Sequence, residues 1–150
     1  MTKLDAELIM KLQVDCPEDQ RHVVGDNDYG YLRAIMITGG SFTGKLSGKV
    51  LPGGVDWNMG SGDGRLEGKA SLRIFAKYLL QTDDGELIAI ENLGFRDRRK
   101  KEQPHIITTP SFHAPRGKYE WLNYGAYVGS LERMVENGVR GVNIKIYRML

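Results

Sequence analysis

The chain has 150 residues, the size of one domain built around one core, 1–150. Its 21 basic and 19 acidic residues leave a formal net charge of +2, so no whole-molecule field draws it to nucleic acid or to an acidic membrane. A single cysteine, Cys16, excludes an internal disulfide, no apolar run approaches the ~18–20 residues that span a bilayer, and no secretory leader pattern is read, so a soluble protein of a reducing cytoplasm is expected.

Nineteen glycines with seven tyrosines, four phenylalanines and two tryptophans favour strands and turns over helices. In residues 8–14, Leu8, Met10, Leu12 and Val14 alternate with polar residues, which predicts a first half-buried strand. Pro17 to Gln20 interrupt it, and Gly25-Asp26-Asn27-Asp28 beside Gly30 is dense turn chemistry before a second strand over 31–38. Over 41–50, Phe42, Gly44, Leu46, Gly48 and Val50 share one face and Ser41, Thr43, Lys45, Ser47 and Lys49 the other, which predicts one curved strand ending in the Pro52-Gly53-Gly54 turn. Gly39 and Gly44-Lys45 have the spacing of a phosphate loop, but Leu46 stands where a Ser or Thr would contact magnesium, and the alternation continues as strand.

A glycine-rich loop, Gly60-Ser61-Gly62-Asp63-Gly64, precedes a long strand over 65–81, with a bend expected at Gly68. Asp83-Asp84-Gly85 signals a hairpin into a strand over 86–94. Arg96, Arg98, Arg99, Lys100 and Lys101 form the one concentrated basic run, read as a solvated hairpin tip because no stacking aromatics are interleaved. Further strands are expected over 105–112, where Pro110 suits an edge or a bulge, and from Tyr119 towards Val128. Glu136-Asn137-Gly138 then joins 131–135 to a last strand carrying Val142, Ile144 and Ile146 on one face. No window has helical periodicity. Eight or nine strands linked by short turns predict an all-β chain with sequential antiparallel pairing. Closure into a single barrel is favoured because it removes exposed edges, and a two-sheet sandwich is the alternative.

Three separated stretches carry a resemblance. They are Gly39-Gly40-Ser41-Phe42-Thr43-Gly44 running to Pro52-Gly53-Gly54-Val55-Asp56-Trp57, then Thr82-Asp83-Asp84-Gly85, then Thr109-Pro110-Ser111-Phe112 followed by Tyr119-Glu120-Trp121-Leu122-Asn123. Together they resemble the uncharacterised bacterial family catalogued as domain of unknown function 3237, also called uncharacterised protein family 0311. The resemblance implies one small β-barrel, lipocalin-like in general shape and self-associating, with no established general activity. Residues 97–103 are more charged than expected of that family.

The candidate site centres on Asp56 and Trp57. A carboxylate in an apolar barrel has its pKa raised by desolvation and becomes a general acid or base, while the plainer reading makes Asp56 a turn acceptor and Trp57 a barrel plug. Trp121 and Asn123 share a face by period 2 and are expected to look across the barrel at Asp56 and Trp57, as an indole wall beside an amide. Phe112, Tyr78 and Tyr119 would complete an aromatic lining or serve as plain core, and Arg33 would bind a carboxylate, pair with Asp56 or reach out to water. No metal is expected, since His22, His105 and His113 are widely spaced and Cys16 has no companion ligand. No Gly-x-Ser-x-Gly elbow supports a serine nucleophile. The leading expectation is a cavity that binds a small, mainly apolar or aromatic organic molecule without a cofactor. A proton-transfer enzyme using Asp56 (isomerase, lyase or cyclase) and a dimerising module without ligand are the alternatives.

Overall fold

Residues 71–82 show how the alternation is spent: Leu72, Ile74, Ala76, Tyr78 and Leu80 are buried, while Ser71, Arg73, Lys77 and Leu79 face outward. The computed structural model describes residues 1–61, 71–97, 105–136 and 138–150. Among them are eleven strands: β1 (Ala6–Asp15), β2 (Arg21–Asn27), β3 (Gly30–Met36), β4 (Gly39–Gly44), β5 (Gly48–Val50), β6 (Val55–Gly60), β7 (Ser71–Thr82), β8 (Leu87–Asp97), β9 (Ile106–His113), β10 (Tyr127–Glu136) and β11 (Val139–Met149). Eight of them close an antiparallel ring in the order β7, β5, β4, β1, β11, β10, β9, β8, and the β7–β8 pairing completes it. A barrel is therefore formed, and the two-sheet sandwich is not.

The other three strands attach where the wall forks. Residues 80–82 of β7 pair with β5, whereas residues 72–77 of the same strand pair with β6, which carries β3 and then β2. The end where β7 turns into β8 is called lower here, and the end where β10 turns into β11 is called upper. The lower half is filled: Leu80, Ile88, Ile90 and Ile146 are wholly buried. A 3-10 turn, Glu120–Tyr124, sits where β9 leaves and β10 enters, and adds Leu122 to that core. No helix among the described residues is long and apolar enough to cross a membrane.

Several expectations need correction. The strand predicted over 41–50 is two, because the chain reverses after Gly44, so that Gly48 and Lys49 pair back against Phe42 and Ser41 while residues 48–50 also pair with β7. Gly44 makes the break feasible: it has φ +137°, and a Cβ there would strike the Ile9 carbonyl. Of the stretch read as turn chemistry, Gly25 to Asn27 end β2, which pairs with β3 around a register shift between Val23 and Gly25, and the expected turn is confined to 28–29, directly before β3. Sequential pairing holds for most neighbours and is skipped at three places, where β1 pairs with β4 and β11 but not with β2, β3 with β6 but not with β4, and β5 with β7 but not with β6. The aromatic strand from Tyr119 does not form, because the 3-10 turn occupies 120–124 and the strand begins at Tyr127.

Other signals match the observed turns. Gly85 takes φ +91° at the tip of the β7–β8 hairpin, and Gly138 takes φ +77° between β10 and β11. Pro110 lies in β9 beyond Thr108, the last residue that β10 pairs with, so it removes no ladder bond on that flank. The expected start of the long strand at 65–70, the bend at Gly68, most of the basic run and Asn137 lie outside the described residues.

Candidate functional site

The forked wall leaves a cavity of about 260 Å³ in the upper half, between β3 and β6 on one side and β10 and β11 on the other. Strand β6 explains what reaches it. In an antiparallel ladder, residues directly opposite share a face, and neighbours along a strand point to opposite faces. Asp56 lies opposite Ile35 and Ala76, and Asn58 lies opposite Arg33 and Ile74, so these six side chains share the inner face. Trp57, between Asp56 and Asn58, lies opposite Ala34 and Phe75 and points outward, 43% exposed. Asp56 and Trp57 are thus neighbours in sequence on opposite sides of the wall.

Asp56 lines the cavity, and its Oδ1 is buried without a hydrogen-bond partner. Burial pushes its carboxyl up to about 6, and the Asn58 amide, the Arg33 guanidinium and a backbone contact from Phe75 pull it back part of the way. The Asn58 amide acts as a neighbouring dipole outside hydrogen-bonding geometry, since its Nδ2 is also buried without a partner. Cys16 lines the same cavity, and its thiol is pushed up to about 12 by burial first and then by the charges of Asp56 and Asp15. It stays a thiol at neutral pH and is no nucleophile.

Tyr78 is buried two residues beyond Ala76 on the inner face of β7, with its hydroxyl unpartnered. Burial and the nearby Cys16 and Asp56 raise its pKa, so Tyr78 borders the Asp56 cluster but does not line the cavity. The rest of the cavity surface combines aliphatic residues such as Ile74, Ile106 and Leu131 with three arginines, Arg21, Arg133 and Arg140. None of the described lining residues is aromatic.

The structure separates the remaining candidates from this cavity. Phe112 is core in the lower half, its ring edge-on to Tyr127 at 5.0 Å between centroids. Tyr119 donates its hydroxyl to Asp84 Oδ1 at 2.8 Å. Asn123 accepts from Ala114 N–H at 2.7 Å and donates to the Ala114 carbonyl at 2.9 Å, which ties the 3-10 turn to the end of β9. Trp121 lies in a separate surface depression with Ile9, Lys45 and Arg148, and the Arg148 guanidinium sits 5.6 Å from its ring centroid. The expected facing of Trp121 and Asn123 across the barrel at Asp56 and Trp57 does not occur, because these residues belong to a 3-10 turn and not to a strand with period 2. Arg33 does sit on the inner face, opposite Asn58, and its charge acts on Asp56.

No motif singles out Asn58, Arg21, Arg133 or Arg140. A signal exists for two of them. Asn58 follows Asp56 by two residues in a strand, and Arg133 stands between Leu131 and Val135 on a face that is otherwise apolar.

A family model described as "Protein of unknown function (DUF3237)" matches residues 5–149. A UPF0311 protein of Bradyrhizobium diazoefficiens is 31% identical over 132 residues, covering 79% of this chain and 83% of that one. A crystal structure of a β-barrel-like protein from Acinetobacter baumannii superposes with a TM-score of 0.82 at 30% identity, covering 100% of this chain and 98% of that one. A conserved protein of unknown function from Rhodopseudomonas palustris superposes with the same TM-score, 0.82, at 28% identity and 100% coverage of both chains.

Proposed function

Taking as premise that the chain belongs to the DUF3237 family of proteins of unknown function, we propose that its barrel binds a small organic molecule with an apolar body and exchanges a proton with it through Asp56. The observation that carries this reading is the Asp56 carboxyl: an unpartnered oxygen on the wall of an aliphatic cavity, with its pKa pushed up to about 6. A group that titrates near neutrality can take a proton and give it back within one turnover.

At pH 7 the carboxylate form of Asp56 dominates and acts as base towards an acidic C–H or O–H of the bound molecule. Asn58 Nδ2, a donor without a partner two residues along the same face, is placed to hydrogen-bond the oxygen on which negative charge then develops. A body seated between the aliphatic walls displaces water there, which keeps the Asp56 proton available for return to a different atom. Isomerisation, elimination and ring closure all reduce to this pair of steps, and none needs a cofactor. The aromatic part of the expected lining gives way to an aliphatic one.

Hydrogen–deuterium exchange into enolisable ketones and phenols, followed by mass spectrometry in D2O, tests the proposal. At least one compound should exchange faster with the protein than without it, with a rate that rises through pH 6. Asp56→Asn should slow that exchange by about 10²–10⁴-fold, the usual worth of a positioned acid or base. Equal rates in the two proteins would remove Asp56 from the chemistry.

A further inference from the structure

The upper mouth of the cavity gathers cations from distant parts of the chain. Arg21 enters from β2, opposite Ile35; Arg133 from β10, opposite Val142; and Arg140 from β11, opposite Val135. All three line the cavity. Glu18 answers two of them: it holds Arg140 at 2.6 Å and reaches Arg21 at 3.9 Å. No ion pair among the described residues involves Arg133. The Nε atoms of Arg21 and of Arg96, near the upper end of β8, are buried without a partner. Arg133 is exposed along much of its length, yet its guanidinium is pulled below its usual range by partial burial first and then by the charges of Arg21, Arg96, Arg33 and Arg140, with no carboxylate among the causes to offset them.

Like charges crowded into a partly apolar recess raise the free energy of the unliganded protein and are relieved by an anion. Asp56 does not supply that relief. The guanidinium that acts on its carboxyl is Arg33, and Asp56 is not among the groups that act on Arg133. Guanidinium groups pair with carboxylates and phosphates through two parallel N–H···O bonds, which fixes the orientation of the bound molecule as well as its charge.

We propose that Arg133, with Arg21 and Arg140, forms an oxyanion receptor at the cavity mouth, so that the ligand is a small organic acid, carboxylate or phosphate, whose charged group docks there and whose apolar body points down to Asp56. This rests on the cavity reading above and adds the substrate class to it. The reacting hydrogen then lies on the part of the molecule remote from the acid group. The arginines hold the substrate, and Asp56 and Asn58 act on it.

Isothermal titration at low ionic strength with benzoate, phenyl phosphate and benzyl alcohol tests the inference on matched bodies. At least one of the two anions should bind tenfold or more tightly than the alcohol, and the tighter of the two identifies the acid. Arg133→Gln should weaken that anion by tenfold or more and leave benzyl alcohol unchanged, and Arg133→Lys should recover part of the loss. If Arg133→Gln does not fold, the salt dependence of the wild type carries the test: added NaCl should weaken the anion and spare the alcohol. Equal binding of the three probes, or anion binding indifferent to both Arg133→Gln and salt, overturns the receptor and leaves the cavity reading standing. Deuterium exchange that depends on Asp56, with no preference for anions, overturns it likewise. Anion binding that depends on Arg133, with no exchange through Asp56, keeps the receptor and removes the proton-transfer reading.

Discussion

Two aspartates at opposite ends of the barrel are driven in opposite directions. Asp84, in the β7–β8 hairpin at the lower end, accepts from Thr82 Oγ1 at 2.5 Å, from Tyr119 at 2.8 Å and from Lys118 at 3.4 Å. The Thr82 and Tyr119 hydroxyls bring its carboxyl down to about 2. Asp56, in the upper half, has an oxygen with no partner, and burial brings its carboxyl up to about 6. One carboxylate ties a turn to the barrel; the other is held in a state that folding alone does not favour. Polar groups satisfied by their own chain stabilise the fold, and under the proposed function the unsatisfied Asp56 oxygen is where a bound molecule completes the bonding.

The largest effect separating the two ends should come from Leu80, wholly buried in the lower half. Leu80→Ala should cost about 2–5 kcal/mol in denaturant unfolding, because the filled end cannot collapse around the gap. A loss as small as that of a surface substitution would show that the lower half is not the rigid part.

Asp56→Asn should have the opposite sign. A folded pKa of about 6 against 3.8 in the unfolded chain means that the folded state holds this proton more tightly. Stability from Asp56 is therefore full below about pH 3.8, declines as pH rises through 6, and is lowest above it. Removing the ionisable group should stabilise the protein at pH 7 by about 1–3 kcal/mol and flatten the stability profile between pH 4 and 6. Urea titrations at pH 4, 5, 6 and 7 read both effects. A destabilised Asp56→Asn with an unchanged profile would break the contrast between the two ends.

The smallest effect belongs to Asp84, which is exposed and whose folded pKa is lowered. Its contribution is present above about pH 3.8 and is lost as pH falls through 2. Asp84→Asn should lower Tm slightly near pH 5 and reduce the further fall of Tm between pH 4 and 2. The same acid-side slope in both proteins would remove Asp84 from the clamp.

The sequence goes further towards the fold than towards the site. Alternation over β1, β7 and β11 and the turn signals at Asp84-Gly85 and Gly138 are local, and they are enough for a closed all-β barrel. The same period-2 logic, applied to 55–60, separates Asp56 from Trp57, yet adjacency in sequence makes them look like partners. Asn123 misleads for another reason. Its amide closes a bond pair with Ala114 nine residues back, a contact that turns a strand-like aromatic stretch into a 3-10 turn. The basic run is conspicuous at 96–101, but of its cations the described residues place only Arg96, and its partners in the cluster come from four other strands.

By itself the sequence determined the all-β class, the long strands β1, β7, β8 and β11 and the turn between β7 and β8, because hydrophobic alternation and turn chemistry act over a few residues. Only the tertiary structure decided that the wall forks at β7, that the lower end fills and the upper end stays hollow, and that Arg21, Arg33, Arg96, Arg133 and Arg140 converge there. Those outcomes depend on the register in which distant strands close the ring, and no short stretch of the chain encodes that register.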